Sequence, residues 1–156
     1  MTTLVYSGFP VNITANTNNS FTNNNSQRSN HYRPLVVTNR SAQNWFGTGP
    51  SVSAVCSTAG VDNGICAYGQ PANGTFGNAG VDSERAPGYQ SADASLSKDF
   101  HITERQSIGF RADAANAFNI TSLGNPNNDA QSSTFGQITS SRSQARQLQL
   151  SARYQF

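Results

Sequence analysis

Arg146-Gln-Leu-Gln-Leu-Ser-Ala-Arg-Tyr-Gln-Phe156 decides the fold. Leu148, Leu150, Ala152, Tyr154 and Phe156 fall on one parity; Gln147, Gln149, Ser151, Arg153 and Gln155 fall on the other. Side chains of a β-strand alternate between its two faces, so this is a strand with one apolar and one polar face. A soluble sandwich strand packed against a second sheet alternates in the same way. A strand with lipid on one side and a wet lumen on the other must alternate strictly, over about nine to eleven residues when tilted. The segment meets both conditions. It places Tyr154 and Phe156 at its end, where aromatic residues meet a bilayer interface. Barrel-assembly machinery reads a C-terminal strand of this kind, and the terminal aromatic favours the barrel. Leu148, Leu150, Ala152, Tyr154 and Phe156 are then the lipid-facing assembly residues.

Working backwards, Tyr89 to Ile102 alternates too. Ala92, Ala94, Leu96, Phe100 and Ile102 share one face, opposite Ser91, Asp93, Ser95, Ser97 and Asp99. Lys98 interrupts the apolar face, read as near one end, where a long side chain can snorkel to an interface. Thr103-Glu104-Arg105 reads as a turn. Ile108, Phe110, Ala112 and Ala114 follow on one face, with Arg111 and Asp113 on the other. That pair forms either a lumenal ion pair or two separately solvated charges. Asn116 to Asn128 is rich in turn residues, Ser133 to Ser141 reads as a weaker strand, and Ser141 to Ala145 as a short connection. Residues 88–156 thus form antiparallel barrel strands ending in the assembly strand. Residues 1–14 give another barrel-type strand, with Pro10 at a bulge, edge or end.

Between them, residues 15–87 read as one long, irregular polar region. Asn, Ser and Thr fill most of Asn16 to Asn30, and turn pairs recur at Gly49-Pro50, Asn63-Gly64, Asn73-Gly74 and Pro87-Gly88. Leu35-Val36-Val37 reads as a short strand. Trp45-Phe46 either packs the loop down or stacks on a ligand. A structureless stretch of this length is unusual in a compact domain but common on barrels.

Composition agrees. In 156 residues, hydrophobic residues are 35% and charged residues 12%, yet aromatics reach 10%, with nine Phe and five Tyr. Disorder usually carries more charge and fewer aromatics. A net charge of +2 without a basic run gives no footprint for nucleic acid. No apolar run approaches a membrane helix, which barrel strands do not need. Met1 is followed at once by strand-like residues and no basic n-region, so the chain is expected to be a piece of a longer protein.

The motifs Gly74-Thr-Phe-Gly-Asn-Ala-Gly, Arg85-Ala-Pro-Gly-Tyr-Gln, Asp93-Ala-Ser-Leu-Ser-Lys-Asp-Phe, Phe110-Arg-Ala-Asp-Ala-Ala-Asn-Ala-Phe-Asn and Ser133-Thr-Phe-Gly-Gln-Ile-Thr carry a resemblance. It covers most of the chain and is strongest from Gly74 onward. They resemble the C-terminal end of TonB-dependent outer-membrane receptors, nearest to the large Oar-like receptors of acidobacteria with a carboxypeptidase-regulatory-like domain upstream. Asn116-Ala-Phe-Asn sits where those receptors have an N-L-F-D/N turn. The resemblance implies import of a bulky nutrient, with a plug and a TonB box N-terminal to the barrel and outside this chain. The chain alone is then not competent for transport. The implied partners are outer-membrane lipid, the barrel-assembly machinery and the TonB complex. Self-association through open strand edges is expected of an isolated piece, and a stand-alone surface or filament protein built by edge pairing is the alternative. Counting back from a periplasmic C-terminus puts 141–145 outside the cell, the 116–119 turn in the periplasm and the Thr103 turn outside, leaving the side of 15–87 open.

Cys56 and Cys66 bracket the turn Asp62-Asn63-Gly64. In an oxidising envelope they suit a disulfide worth about 2–3 kcal/mol. A metal pair without nearby His, or two free thiols, are the rivals. His31 and His101 stand in no ligand pattern. Asp62, Asp82, Glu84 and Asp129 lack calcium-loop spacing. No nucleophile–base pair, phosphate loop, metal set or cofactor motif appears, so neither an enzyme nor a cofactor is expected.

Overall fold

The computed structural model describes residues 1–16, 20–22, 27–46 and 53–156. The Gly49-Pro50 turn and parts of the Asn16–Asn30 run lie outside the described residues. The described chain is all-β. Its strands are β1 (Thr2–Tyr6), β2 (Pro10–Val11), β3 (Thr14–Ala15), β4 (Gln27–Arg28), β5 (Asn30–His31), β6 (Ser53–Val55), β7 (Cys66–Gly69), β8 (Glu84–Arg85), β9 (Tyr89–Thr103), β10 (Gln106–Ala115) and β11 (Gln147–Gln155). They fall into two compact units, which cut across the sequence divisions. One comprises residues 1–7, 88–123 and 141–156, the other 8–87 and 124–140.

The first unit is an open antiparallel sheet in the order β1-β9-β10-β11. At ~3.3 Å per residue, β9's 15 residues span about 50 Å, and β10 and β11 have the length a tilted membrane strand needs. β9 and β10 are joined by the tight turn Glu104–Arg105, where the Arg105 amide donates to Thr103 Oγ1 at 3.4 Å. The register places Lys98 opposite Phe110, and Phe110 opposite Ala152.

β10 and β11 are direct neighbours, with Ala115 opposite Gln147. The expected strand over Ser133–Ser141 does not form. Residues 133–136 turn, and the segment closes on itself through Asn127 N to Gln137 O at 2.9 Å and Gly136 N to Asn127 O at 2.8 Å. Gly136 takes a φ of 77°, which breaks any strand there. Residues 116–146 are therefore one long connection. The Glu104–Arg105 turn consequently lies at the same end of the sheet as Phe156. The count that put the Thr103 turn and the C-terminus at opposite ends, and the 116–119 turn with the C-terminus, is corrected. Both long connections, 7–88 and 116–146, leave from the other end.

That end is tied by buried polar residues. Asn116 has a φ of 48°, and its backbone N–H donates to Asp93 Oδ1 at 2.9 Å. Its Nδ2 donates to the carbonyls of Ile120 and Gln144 at 3.0 and 2.8 Å, and its Oδ1 accepts from Ile120 N at 2.9 Å. Ser122, also buried, donates from Oγ to Gln90 O and accepts from Gln90 N, both at 2.9 Å.

The second unit shows that 15–87 is not irregular throughout. Small ladders, β2 with β8, β3 with β4, and β7 between antiparallel β5 and parallel β6, surround a core of Val11, Ile13, Phe46, Ala67, Tyr68, Ala79, Ala86 and Ala130. Leu35-Val36-Val37 is not a strand; Leu35 packs against this core while Val36 is exposed. Residues 124–140 complete the unit, as Thr14 N donates to Asn128 O at 2.9 Å and Ala130 N to Thr14 O at 2.8 Å. Asp129 accepts from Asn16 Nδ2 at 2.9 Å.

Candidate functional site

Two surfaces of the sheet carry the chemistry. Strand register sorts their side chains. One face runs in rows across β9, β10 and β11: Ala94, Ala114, Leu148; Leu96, Ala112, Leu150; Lys98, Phe110, Ala152; Phe100, Ile108, Tyr154. Leu150 is 81% exposed and Phe156 91%. Leu96, Phe100, Phe110, Leu148 and Tyr154 are exposed with them. Such a continuous apolar surface marks a membrane or partner contact, because soluble monomers rarely expose so much. Aromatic rings gather at its hairpin end. Phe100 and Phe110 meet edge-to-face at 6.1 Å, and Tyr154 stacks on Phe156 at 5.9 Å. Lys98 lies nearer the hairpin end of β9 than the other. It sits within the apolar rows, flanked by Leu96 and Phe100 along its strand.

The opposite face is polar. Ser97, Arg111 and Ser151 form one row, Asp99, Gly109 and Arg153 the next, and His101, Ser107 and Gln155 a third. Together they line a shallow cleft of about 410 Å³. Arg111 Nε donates to Asp113 Oδ2 at 2.7 Å and Nη2 to Oδ1 at 2.9 Å, a two-point ion pair between same-face neighbours. The side chains are 61% and 36% exposed, so water screens the pair. This face can solvate polar solutes and hold charges apart.

In the second unit, Cys56 and Cys66 are joined in a disulfide with a Cα–Cα distance of 5.1 Å. Asp62 lies close to both sulfurs. The disulfide occupies them, which removes them as a metal pair. The staple has a second tie. Arg33 Nη2 bonds Asp62 Oδ2 and Arg33 Nη1 donates to Cys66 O, both at 2.6 Å. The Arg33 guanidinium, with a further bond from Gly64 N, holds the Asp62 carboxyl below its usual pKa. Asn63 Oδ1 accepts from Ile65 N and Cys66 N, which closes the turn.

Trp45 and Phe46 pack rather than present a stacking platform. Phe46 is buried against Phe135 at 5.0 Å, and Trp45 Nε1 donates to Arg85 O at 2.7 Å with Arg40 over its ring at 5.1 Å. His31 stacks on Tyr68 at 4.8 Å, whereas His101 belongs to the polar sheet face. Sequence reasoning missed Tyr68, whose hydroxyl donates to Glu84 Oε1 at 2.9 Å and lies 3.3 Å from Ser83 Oγ. Burial, then the charge of Glu84, push the Tyr68 hydroxyl up to about 12. The only sequence signal for it was its place beside Cys66. Asn116 had a better one, as asparagine enters left-handed turns readily.

A family model described as an outer membrane beta barrel domain matches residues 1–149. No curated protein and no solved structure matches the chain. With an apolar and a polar face on one antiparallel sheet, and a family match over nearly its whole length, the chain belongs to the outer-membrane β-barrel domain family.

Proposed function

We propose that the chain is the C-terminal part of the barrel of a TonB-dependent, Oar-like outer-membrane receptor that imports a bulky nutrient. The observation that carries this reading is the two-faced sheet ending in β11. A sheet of four strands is too narrow to close, whereas plugged transporters use about 22. Its polar face would form part of the lumen wall and its apolar face would meet lipid. The plug and the TonB contact would come from residues N-terminal to the barrel. The receptor motifs quoted above support the TonB-dependent type, and nothing in the proposal requires catalysis.

Barrels of this class have short periplasmic turns and long extracellular loops. The Glu104–Arg105 turn and Phe156 then face the periplasm, and residues 8–87 and 124–140 face outward. The test is direct binding. The protein extracted from its membrane should have an intact mass several times the 16.6 kDa of this chain. It should also capture purified periplasmic TonB domain. A full-size barrel that binds no TonB would remove the receptor reading and leave the barrel.

One observation favours a second reading. The outer edge of β11 has no strand partner among the described residues, and open edges template pairing between chains. A native mass of 16.6 kDa together with filaments in electron micrographs would establish a self-assembling surface protein instead.

A further inference from the structure

Lys98 is the single charged side chain on the apolar face of β9, β10 and β11. No carboxylate among the described residues pairs with it. Its ammonium lies 6.0 Å from the centre of the Phe100 ring, so the side chain leans toward the Glu104–Arg105 end. On its other side, Leu96, Phe110, Ala112 and Leu150 line a shallow apolar groove of about 210 Å³. The small Ala112 leaves this hollow between larger neighbours.

An unpaired lysine facing hydrocarbon is costly, most of all at the bilayer midplane. Depth decides where it goes. At ~3.3 Å per residue and a tilt of ~40°, Lys98 is about 13 Å in depth from Thr103 but about 23 Å from Tyr89. A lysine side chain of ~6 Å covers about half of the first distance, in the direction it already leans.

From these features we propose that Lys98 and the adjoining groove bind one anionic phospholipid in the leaflet at the hairpin end. The ammonium meets the phosphate from below, beside Phe100. An acyl chain runs deeper, past Phe110, into the groove of Leu96, Ala112 and Leu150. A second copy docked by the same face would oppose two unpaired lysines, so the occupant is a lipid acid. The proposal rests on the barrel reading above.

The test uses the complete protein folded into phosphatidylcholine vesicles holding spin-labelled phosphatidylglycerol or spin-labelled phosphatidylcholine. The spectrum separates lipid held at the protein from bulk lipid. The protein should hold phosphatidylglycerol about fivefold over phosphatidylcholine, the ratio matching ~1 kcal/mol for one lysine near the surface. Lys98→Gln should abolish the preference and Lys98→Arg should keep it. An unchanged preference in Lys98→Gln, or one lost only in Arg105→Gln, overturns the proposal. Circular dichroism and protease protection report insertion separately. A protein that inserts without lipid preference loses this site and keeps the barrel, whereas failure to insert sinks both.

Discussion

At Asn116 the chain leaves β10 with a φ of 48°, and one side chain then serves three backbone groups. Each such bond contributes about 1 kcal/mol net, and a buried group left unpaired costs more. Asn116→Ala should therefore destabilise the sheet unit by about 2–4 kcal/mol, partly because alanine enters the left-handed region less readily. Urea unfolding from detergent should show this loss, and a midpoint equal to the parent's would refute it. Tyr68 gives a pH-dependent case. Its pKa rises from 10.0 to about 12 in the fold, so the neutral hydroxyl is the favoured form. The resulting stability is complete below pH 10 and is lost as pH climbs toward 12. Alkaline titration by tyrosine absorbance should show one late-ionising group, absent in Tyr68→Phe.

For an individual strand, parity sets tolerance. Leu150 and Gln149 are chain neighbours on opposite faces of β11. Leu150→Arg should cost about 2–4 kcal/mol of barrel stability, whereas Gln149→Arg, on the polar face, should be nearly neutral. Equal effects in folding titrations would contradict the assignment of faces. The disulfide acts on another element. It closes a separation of 10 residues and holds Cys56 beside β7, where Cys56 N donates to Tyr68 O at 2.7 Å. Replacing both cysteines by serine should cost about 3 kcal/mol in the second unit, read as faster amide exchange in β6 and β7. β9, β10 and β11 were legible in the sequence because an apolar and a polar face impose a period of two along their whole length. The segment 133–141 misled. Gln137-Ile138-Thr139 favours a strand, but long-range bonds such as Ile138 N to Ala42 O use its backbone elsewhere. The second unit could not be read, since ladders as short as Pro10–Val11 with Glu84–Arg85 show no period. Lys98 was visible as an interruption toward one end of its strand, but its neighbour across the sheet, Phe110, needed the register.

Across the whole molecule, topology sets what a cell exposes. Protease added to intact cells should cut within residues 8–87 or 124–140 after disulfide reduction, and leave Glu104–Arg105 uncut until the envelope is opened. Cleavage at Arg105 in intact cells would reverse the orientation. The second unit is also discontinuous, with Ala130 from 124–140 joining a core whose other members, Val11, Ile13, Phe46 and Tyr68 among them, come from 8–87. Neither insertion is therefore a free module. A chimaera that transplants 8–87 into a related barrel without 124–140 inherits a core with one wall missing. Recombination among such proteins should accordingly preserve the two insertions as a linked pair, even though β9 and β10 separate them in the gene.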